Sequence, residues 1–130
     1  MIRVLIADDH GLVRAGLTEL IGTFADVAIV GAATGGAEAV AMTLEHRPDI
    51  VLMDLEMPEV DGIEATRILR EQAPDTRVVI LTSFSDRDRI LKALDAGAVG
   101  YLLKDAEPDE LRRGIAAAAR GMAERPDVTP

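Results

Sequence analysis

Five short runs of aliphatic and β-branched residues alternate with five longer segments whose apolar positions recur at helical spacing. Ile2-Arg3-Val4-Leu5-Ile6-Ala7 reads as a first strand, broken by Asp8-Asp9-His10. From Gly11 to Ile21, Leu12, Val13, Leu17, Leu20 and Ile21 share a helical face, with Gly22 as the stop. Val27 to Ala33 predicts a second buried strand. Ala37 to His46 predicts a helix carrying Ala39, Val40, Met42 and Leu44, ended by Pro48. Ile50-Val51-Leu52-Met53 is a run of the kind that fills a strand buried on both faces. It ends at Asp54, and a turn bearing Pro58 and Gly62 follows.

Ile63 to Gln72 predicts a third helix, with Asp61 at its start as a structural cap and Pro74 beyond its end. Arg77 to Ser83 is a fourth strand. Asp86 to Ala96 is a fourth helix, with Ile90, Leu91, Leu94 and Ala98 inward and Gly97 near its end. Val99 to Leu103 is a fifth strand. Pro108 sits at the favourable first position of a last helix that runs to about Arg120 with Gly121 as its cap. Strands alternating with helices at this spacing give an α/β fold, a doubly wound parallel sheet covered on both faces. Residues 122–130 are polar, contain two prolines and have no apolar period, so they read as a frayed tail or the start of a linker.

The 130 residues suffice for one domain with one core. That core must be aliphatic, since Phe24, Phe84 and Tyr101 are the only aromatics. A formal charge of -9 argues against nucleic acid or an anionic membrane as a partner of this piece, because both want a basic footprint. Cations or other proteins fit better. No cysteine is present, which removes disulfides, zinc-thiolate sites and thiol nucleophiles. No run approaches the roughly 20 apolar residues of a membrane span, and a cytoplasmic location is the default expectation.

The candidate chemistry lies at strand ends. A parallel sheet carries Asp8 and Asp9, Asp54, Thr82 and Ser83, and Lys104 to one edge, where open α/β sheets place their crevice. Three carboxylates gathered there repel one another and are driven towards protonation unless a cation neutralises them. Mg²⁺ (or Mn²⁺) is the natural cation, held by one or two carboxylates with water and phosphate completing its shell. Phosphoryl transfer asks for an in-line nucleophile, charge neutralisation and positioned donors. Asp54 suits the first role, giving an aspartyl phosphate, while the Lys104 ammonium and the Thr82 hydroxyl suit the last.

Taken together, Asp8-Asp9-His10, Asp54 within Leu-Met-Asp-Leu-Glu-Met-Pro, Asp61-Gly62, Thr82-Ser83 and Gly-Tyr-Leu-Leu-Lys-Asp at 100–105 resemble a bacterial two-component response-regulator receiver domain. The opening and the ending are most similar to the NarL/FixJ subfamily, whose members carry a C-terminal helix-turn-helix domain. The resemblance covers about residues 2 to 120. It implies a flavodoxin-like (βα)5 domain with strand order 2-1-3-4-5 over residues 1–121, and a tail or interdomain linker over 122–130, with the effector domain absent. It also implies that Asp54 takes a phosphoryl group from a sensor histidine kinase and that the output is transcriptional. Asp9 would bind Mg²⁺ directly, Asp8 directly or through water, and the backbone carbonyl of Glu56 would be a further ligand. Thr82 would move towards the phosphoryl group, Lys104 would pair with it, and Tyr101 would be the aromatic that turns inward on activation. Self-phosphorylation and slow self-dephosphorylation would be the only chemistry. DNA would be reached only through a C-terminal effector domain, although a natural single-domain receiver would read almost the same.

Several residues have a plainer reading. His10 is expected as a solvated helix cap, His46 as a helix-end surface residue, Ser83 as a loop hydroxyl and the Asp86-Arg87-Asp88-Arg89 run as a solvated helix start. Glu56 and Phe84 border the site, where they would tune the lifetime of the phosphoryl group. Asp105 stands where many receivers have a proline preceded by a cis bond; a cis Lys104-Asp105 bond would be costly. The alanine-rich last helix, Ala116 and Ala119 included, is expected either as ordinary helix or as a dimer surface shared with Leu12, Val13 and Gly16 of the first. Two other functions remain open at this level. A small Mg²⁺-dependent phosphatase would want an aspartate where Glu56 stands, and a nucleotide-binding protein would want a phosphate loop that Gly35-Gly36 does not match.

Overall fold

In the computed structural model, which describes residues 1–83 and 87–121, five parallel strands form one sheet of order β2-β1-β3-β4-β5. The chain runs β1 (Ile2–Ala7), α1 (Gly11–Gly22), β2 (Val27–Ala33), α2 (Gly36–His46), β3 (Ile50–Asp54), α3 (Gly62–Gln72), β4 (Arg77–Thr82), α4 (Arg87–Ala96), β5 (Gly100–Leu103) and α5 (Pro108–Arg120). This is the expected doubly wound architecture. The expectations for residues 122–130, Phe84 and Asp86 fall outside the described residues.

Side chains alternate across a strand, and here that period divides the core in two. Leu5 and Ala7, Val51 and Met53, and Val78 and Ile80 pack with Ala39 of α2, Ala65 and Leu69 of α3, and Ile90 and Ala93 of α4. Val4 and Ile6, Ile50 and Leu52, and Val79 and Leu81 pack with Leu17 and Ile21 of α1 and Leu111 and Ile115 of α5. The three central strands are therefore apolar at both parities, and all of β3 is buried, Asp54 included. A carboxylate at the end of such a strand has no route to solvent except the crevice at the sheet edge.

Local chemistry sets the helix ends. Asp61 caps α3 by accepting from the Glu64 N–H at 2.9 Å, as its position predicted. Pro108 and a reciprocal Glu107–Glu110 capping box start α5, and Gly121, at φ 103°, ends it. The sequence reading needs correction in three places. Gly22 lies inside α1 rather than stopping it, since α1 closes at Thr23. As an edge strand β2 is buried only at Val27 and Ala33, because just one neighbour covers it. Leu91 is exposed, because the inward face of α4 is Ile90, Ala93 and the partly buried Leu94, and Leu91 is turned about 100° away from Ile90.

Candidate functional site

Register brings the polar strand ends together. Ala7 pairs with Met53, Asp54 with Leu81 and Thr82 with Leu103, so the residues after β1 and β5 enter the crevice level with the ends of β3 and β4. The Asp8 N–H is held by the Ala33 carbonyl at 3.1 Å and the Lys104 N–H by the Thr82 carbonyl at 2.8 Å, which extends the sheet hydrogen bonding one step into each loop. The turn after Asp54 is closed by Gly62 N–H donating to the Leu55 carbonyl at 3.0 Å. A Cβ on Gly62 would stand 2.1 Å from the Asp54 carbonyl oxygen, so only glycine lets α3 begin against the acid-bearing strand. Within that turn Glu59 adopts the left-handed region at φ 64°, an uncommon choice for a residue with a side chain.

Lys104 Nζ lies 3.0 Å from Asp8 Oδ2 and 3.1 Å from Asp54 Oδ1, with its own side chain only 14% exposed. Asp54 Oδ1 also accepts from the Glu56 N–H at 3.4 Å, and Asp8 Oδ1 accepts from the His10 N–H at 2.8 Å. Even so, Asp8 Oδ2, Asp9 Oδ1 and Asp54 Oδ2 are buried without a hydrogen-bond partner among the described residues. Asp8 Oδ2 stands at ion-pair distance from the lysine but is not aligned for a hydrogen bond. Burial raises the Asp54 carboxyl above the ordinary carboxylate range and the Asp8 charge adds to this, against the opposing pull of Lys104 and the Glu56 N–H. Burial acts to lower the Lys104 ammonium, but the close contacts and charges of Asp8 and Asp54 outweigh it and the net shift is upward.

One ammonium facing two buried carboxylates and a third beside them leaves the crevice short of positive charge. Ligand atoms of Asp8, Asp9, His10 and Asp54 all lie within 4.8 Å of one another. The orphan oxygens belong to the three aspartates expected to hold a divalent cation, so the donor set fits a hard oxygen-seeking ion. Glu56 lines the same crevice beside Asp9.

The remaining candidates divide. Thr82 is buried at the end of β4 and lines the crevice with exposed Ser83, Asp54 and Lys104. Tyr101, on the edge strand, is 47% exposed. His10 occupies the N-cap position of α1, but its exposed side chain makes no cap hydrogen bond. Its Nδ1 instead lies 3.3 Å from Asp8 Oδ1 and 3.2 Å from Asp9 Oδ1. His46 ends α2 partly exposed. Every peptide bond among the described residues is trans, Lys104-Asp105 included. Leu12 and Gly16 are exposed on α1, while Val13, Ala116 and Ala119 are partly covered.

Two arginines in the site carried no sequence signal. Arg14 Nη1 donates to the Asp8 carbonyl at 2.8 Å from within α1. Arg89, read as part of a solvated run, reaches from α4 to the Glu56 carboxylate and the Leu55 carbonyl. The Arg14 contact is local but goes to a backbone carbonyl, and the Arg89 contacts join residues 33 and 34 positions apart, so neither leaves a spacing pattern in the sequence.

A flavodoxin-like parallel sheet with an acidic, lysine-bridged crevice at the carboxyl ends of its strands defines a doubly wound α/β protein of the class that binds its ligands at that edge. The model of the response regulator receiver domain family matches residues 4–116. The chain is 50% identical over 109 residues to the uncharacterised transcriptional regulatory protein YhcZ of Bacillus subtilis, covering 84% of this chain and 51% of that protein. It is 42% identical over 121 residues to the transcriptional regulatory protein LiaR of the same organism, covering 93% and 57%. The chain thus spans about half the length of these curated relatives. Among solved structures, a LuxR-family two-component response regulator from Aurantimonas superposes with a TM-score of 0.86 at 40% identity, covering 97% of this chain and 91% of that one. A signal receiver domain from Mycobacterium tuberculosis described as that of a NarL response regulator superposes at 0.89 with 33% identity, covering 93% and 98%. This chain belongs to the response regulator receiver domain family, and its relatives are of the LuxR/NarL type.

Proposed function

We propose that this domain is a phosphorylation-operated switch in which Asp54 accepts a phosphoryl group from a sensor histidine kinase. The observation that carries the reading is the pair of contacts from Lys104 Nζ to Asp8 Oδ2 and Asp54 Oδ1, with Asp54 Oδ2 and Asp9 Oδ1 buried beside them without a hydrogen-bond partner among the described residues. Asp54 is the nucleophile. One of its carboxylate oxygens attacks phosphorus, the new oxygen–phosphorus bond forms as the donor's nitrogen–phosphorus bond breaks, and the imidazole leaves with the electron pair and takes a proton from water. The Lys104 ammonium, already beside Asp54, hydrogen-bonds an oxygen of the arriving group, and the Thr82 hydroxyl closes on another. Asp8, Asp9, Asp54 and the Glu56 carbonyl would hold Mg²⁺. When bound, the ion supplies charge neutralisation and Lewis acidity at the phosphoryl oxygens.

Switching follows from where the moving parts sit. Asp8 and Asp54 are buried at the ends of central strands, whereas Tyr101 lies exposed on the edge strand that leads to Lys104. When Thr82 is drawn to the phosphoryl group, the space beside it admits the tyrosine ring, and the surface around β5 changes for a partner. Turnover is limited to acquisition and slow loss of the phosphoryl group. The exposed Leu12 and Gly16 on α1 and the alanines of α5 offer a surface for a second copy, and transcriptional output belongs to a separate DNA-binding domain, in keeping with the longer relatives' description as transcriptional regulatory proteins. No described helix is long and apolar enough to cross a membrane.

Incubation with acetyl phosphate and Mg²⁺ tests this reading. Intact-mass measurement should show one phosphoryl adduct that hydroxylamine removes, and chelation of the metal or Asp54→Asn should abolish it. A native chain that stays unmodified would refute the switch.

A further inference from the structure

The side chain least expected in the crevice is Arg89. The Asp86-Arg87-Asp88-Arg89 run predicts a solvated helix start, yet the Arg89 guanidinium crosses from the first turn of α4 to the loop that follows Asp54. One nitrogen, Nη1, binds the Glu56 carboxylate, and Nη2 donates to the Leu55 carbonyl at 3.3 Å. Burial of the pair is lopsided: the Glu56 side chain is 74% exposed, the Arg89 side chain 28%. Arg89 and Glu56 both line the part of the crevice that holds Asp54, Thr82 and Lys104, and also the part that holds Asp9 and His10. A largely exposed ion pair of this kind contributes little to stability. Its consequence lies in charge and position. Asp8, Asp9 and Asp54 already make the crevice acidic, and a bare Glu56 carboxylate at its mouth would add a fourth negative charge on the path of an incoming phosphoryl dianion.

We propose that Arg89 is a positioning residue of the phosphoacceptor site: anchored on the Leu55 carbonyl, its guanidinium masks Glu56 and holds that carboxylate off the phosphoryl path. This rests on the proposed role of Asp54. The mask acts oppositely on the two species the crevice must admit. Removing it leaves more negative charge, which favours a cation and disfavours a phosphoryl donor. A loop that had merely lost its shape would bind both less well.

The test is a double-mutant cycle on Arg89 and Glu56, with two readouts on each protein: Mg²⁺ affinity from amide chemical shifts, and the rate of adduct formation with acetyl phosphate. Arg89→Ala should bind Mg²⁺ about two- to threefold more tightly and form the adduct about fivefold more slowly, with the slowing reduced by added salt. Adding Glu56→Gln to Arg89→Ala should return both quantities to within about twofold of the native protein. Arg89→Lys, which keeps the charge and guards against a folding defect, should fall between. The mask is overturned if Arg89→Ala moves neither quantity, if affinity and rate fall together, or if Glu56→Gln fails to restore them. Asp54→Asn distinguishes the two levels: an adduct surviving that change defeats the phosphoacceptor reading, whereas a native-like rate in Arg89→Ala, with the adduct still on Asp54, defeats only the mask.

Discussion

The carboxyl ends of β1 and β3 and the carboxyl ends of β4 and β5 share one crevice but differ in construction. The first pair lies in the middle of the sheet, with Asp8 and Asp54 buried and tied to Lys104. The second ends at the sheet edge, where buried Thr82 is followed by exposed Ser83, Tyr101 of β5 is exposed, and Leu91 on α4 faces solvent. An electrostatic site needs fixed charges, because groups that do not reorganise interact most strongly with an incoming phosphoryl group. A surface that reports on the site needs the opposite, since side chains packed in a core have few alternative positions. The fold supplies both by placing chemistry at the centre and a rearrangeable rim one strand away.

That contrast can be broken most severely at Lys104. Lys104→Ala strands two buried carboxylates and should cost about 3 kcal/mol in metal-free buffer, read by urea unfolding. Adding Asp8→Asn to that variant should recover much of the loss. Gly62→Ala comes next: a Cβ 2.1 Å from the Asp54 carbonyl forces α3 away from β3, with an expected loss of about 2 kcal/mol. A smaller effect has the reverse sign. Because the folded-state pKa of Asp54 is raised from 3.8, the ionised carboxylate costs stability, and that cost grows as pH rises from about 3.8 through the raised value. In chelator, Asp54→Asn should therefore melt higher than the native chain at neutral pH, and the difference should vanish below the ordinary carboxylate range. At the rim, Tyr101→Ala should change stability by less than about 1 kcal/mol. If that variant instead destabilises as much as Gly62→Ala, the rim is not the loosely held region described here.

The same division explains what could be read from the chain. The central strands are apolar at both parities, so Ile50-Val51-Leu52-Met53 announced a buried strand and Asp54 its end; the element order follows from the alternation of runs, whereas the strand order was implied only by the resemblance to receiver domains. Asp61 as a cap and Pro108 as a helix start were legible because capping is local. Edges were less so. The β2 run looks buried by composition, and only its place in the sheet exposes it. Leu91 is as hydrophobic as Ile90, and just the phase of α4 separates them. Arg14 and Arg89 act through contacts with residues far along the chain or through backbone carbonyls, which leave no spacing pattern. The need for glycine at 62 arises from a backbone approach that the Asp61-Gly62 pair marks without explaining.

The account rests on Asp54 as the residue that carries the phosphoryl group. The chain should be phosphorylated with acetyl phosphate and Mg²⁺, reduced with borohydride to convert any acyl phosphate to an alcohol, and mapped by peptide mass spectrometry. The account predicts homoserine at position 54 and unmodified Asp8, Asp9 and Glu56. Reduction product at any of those three positions, with residue 54 intact, would contradict it.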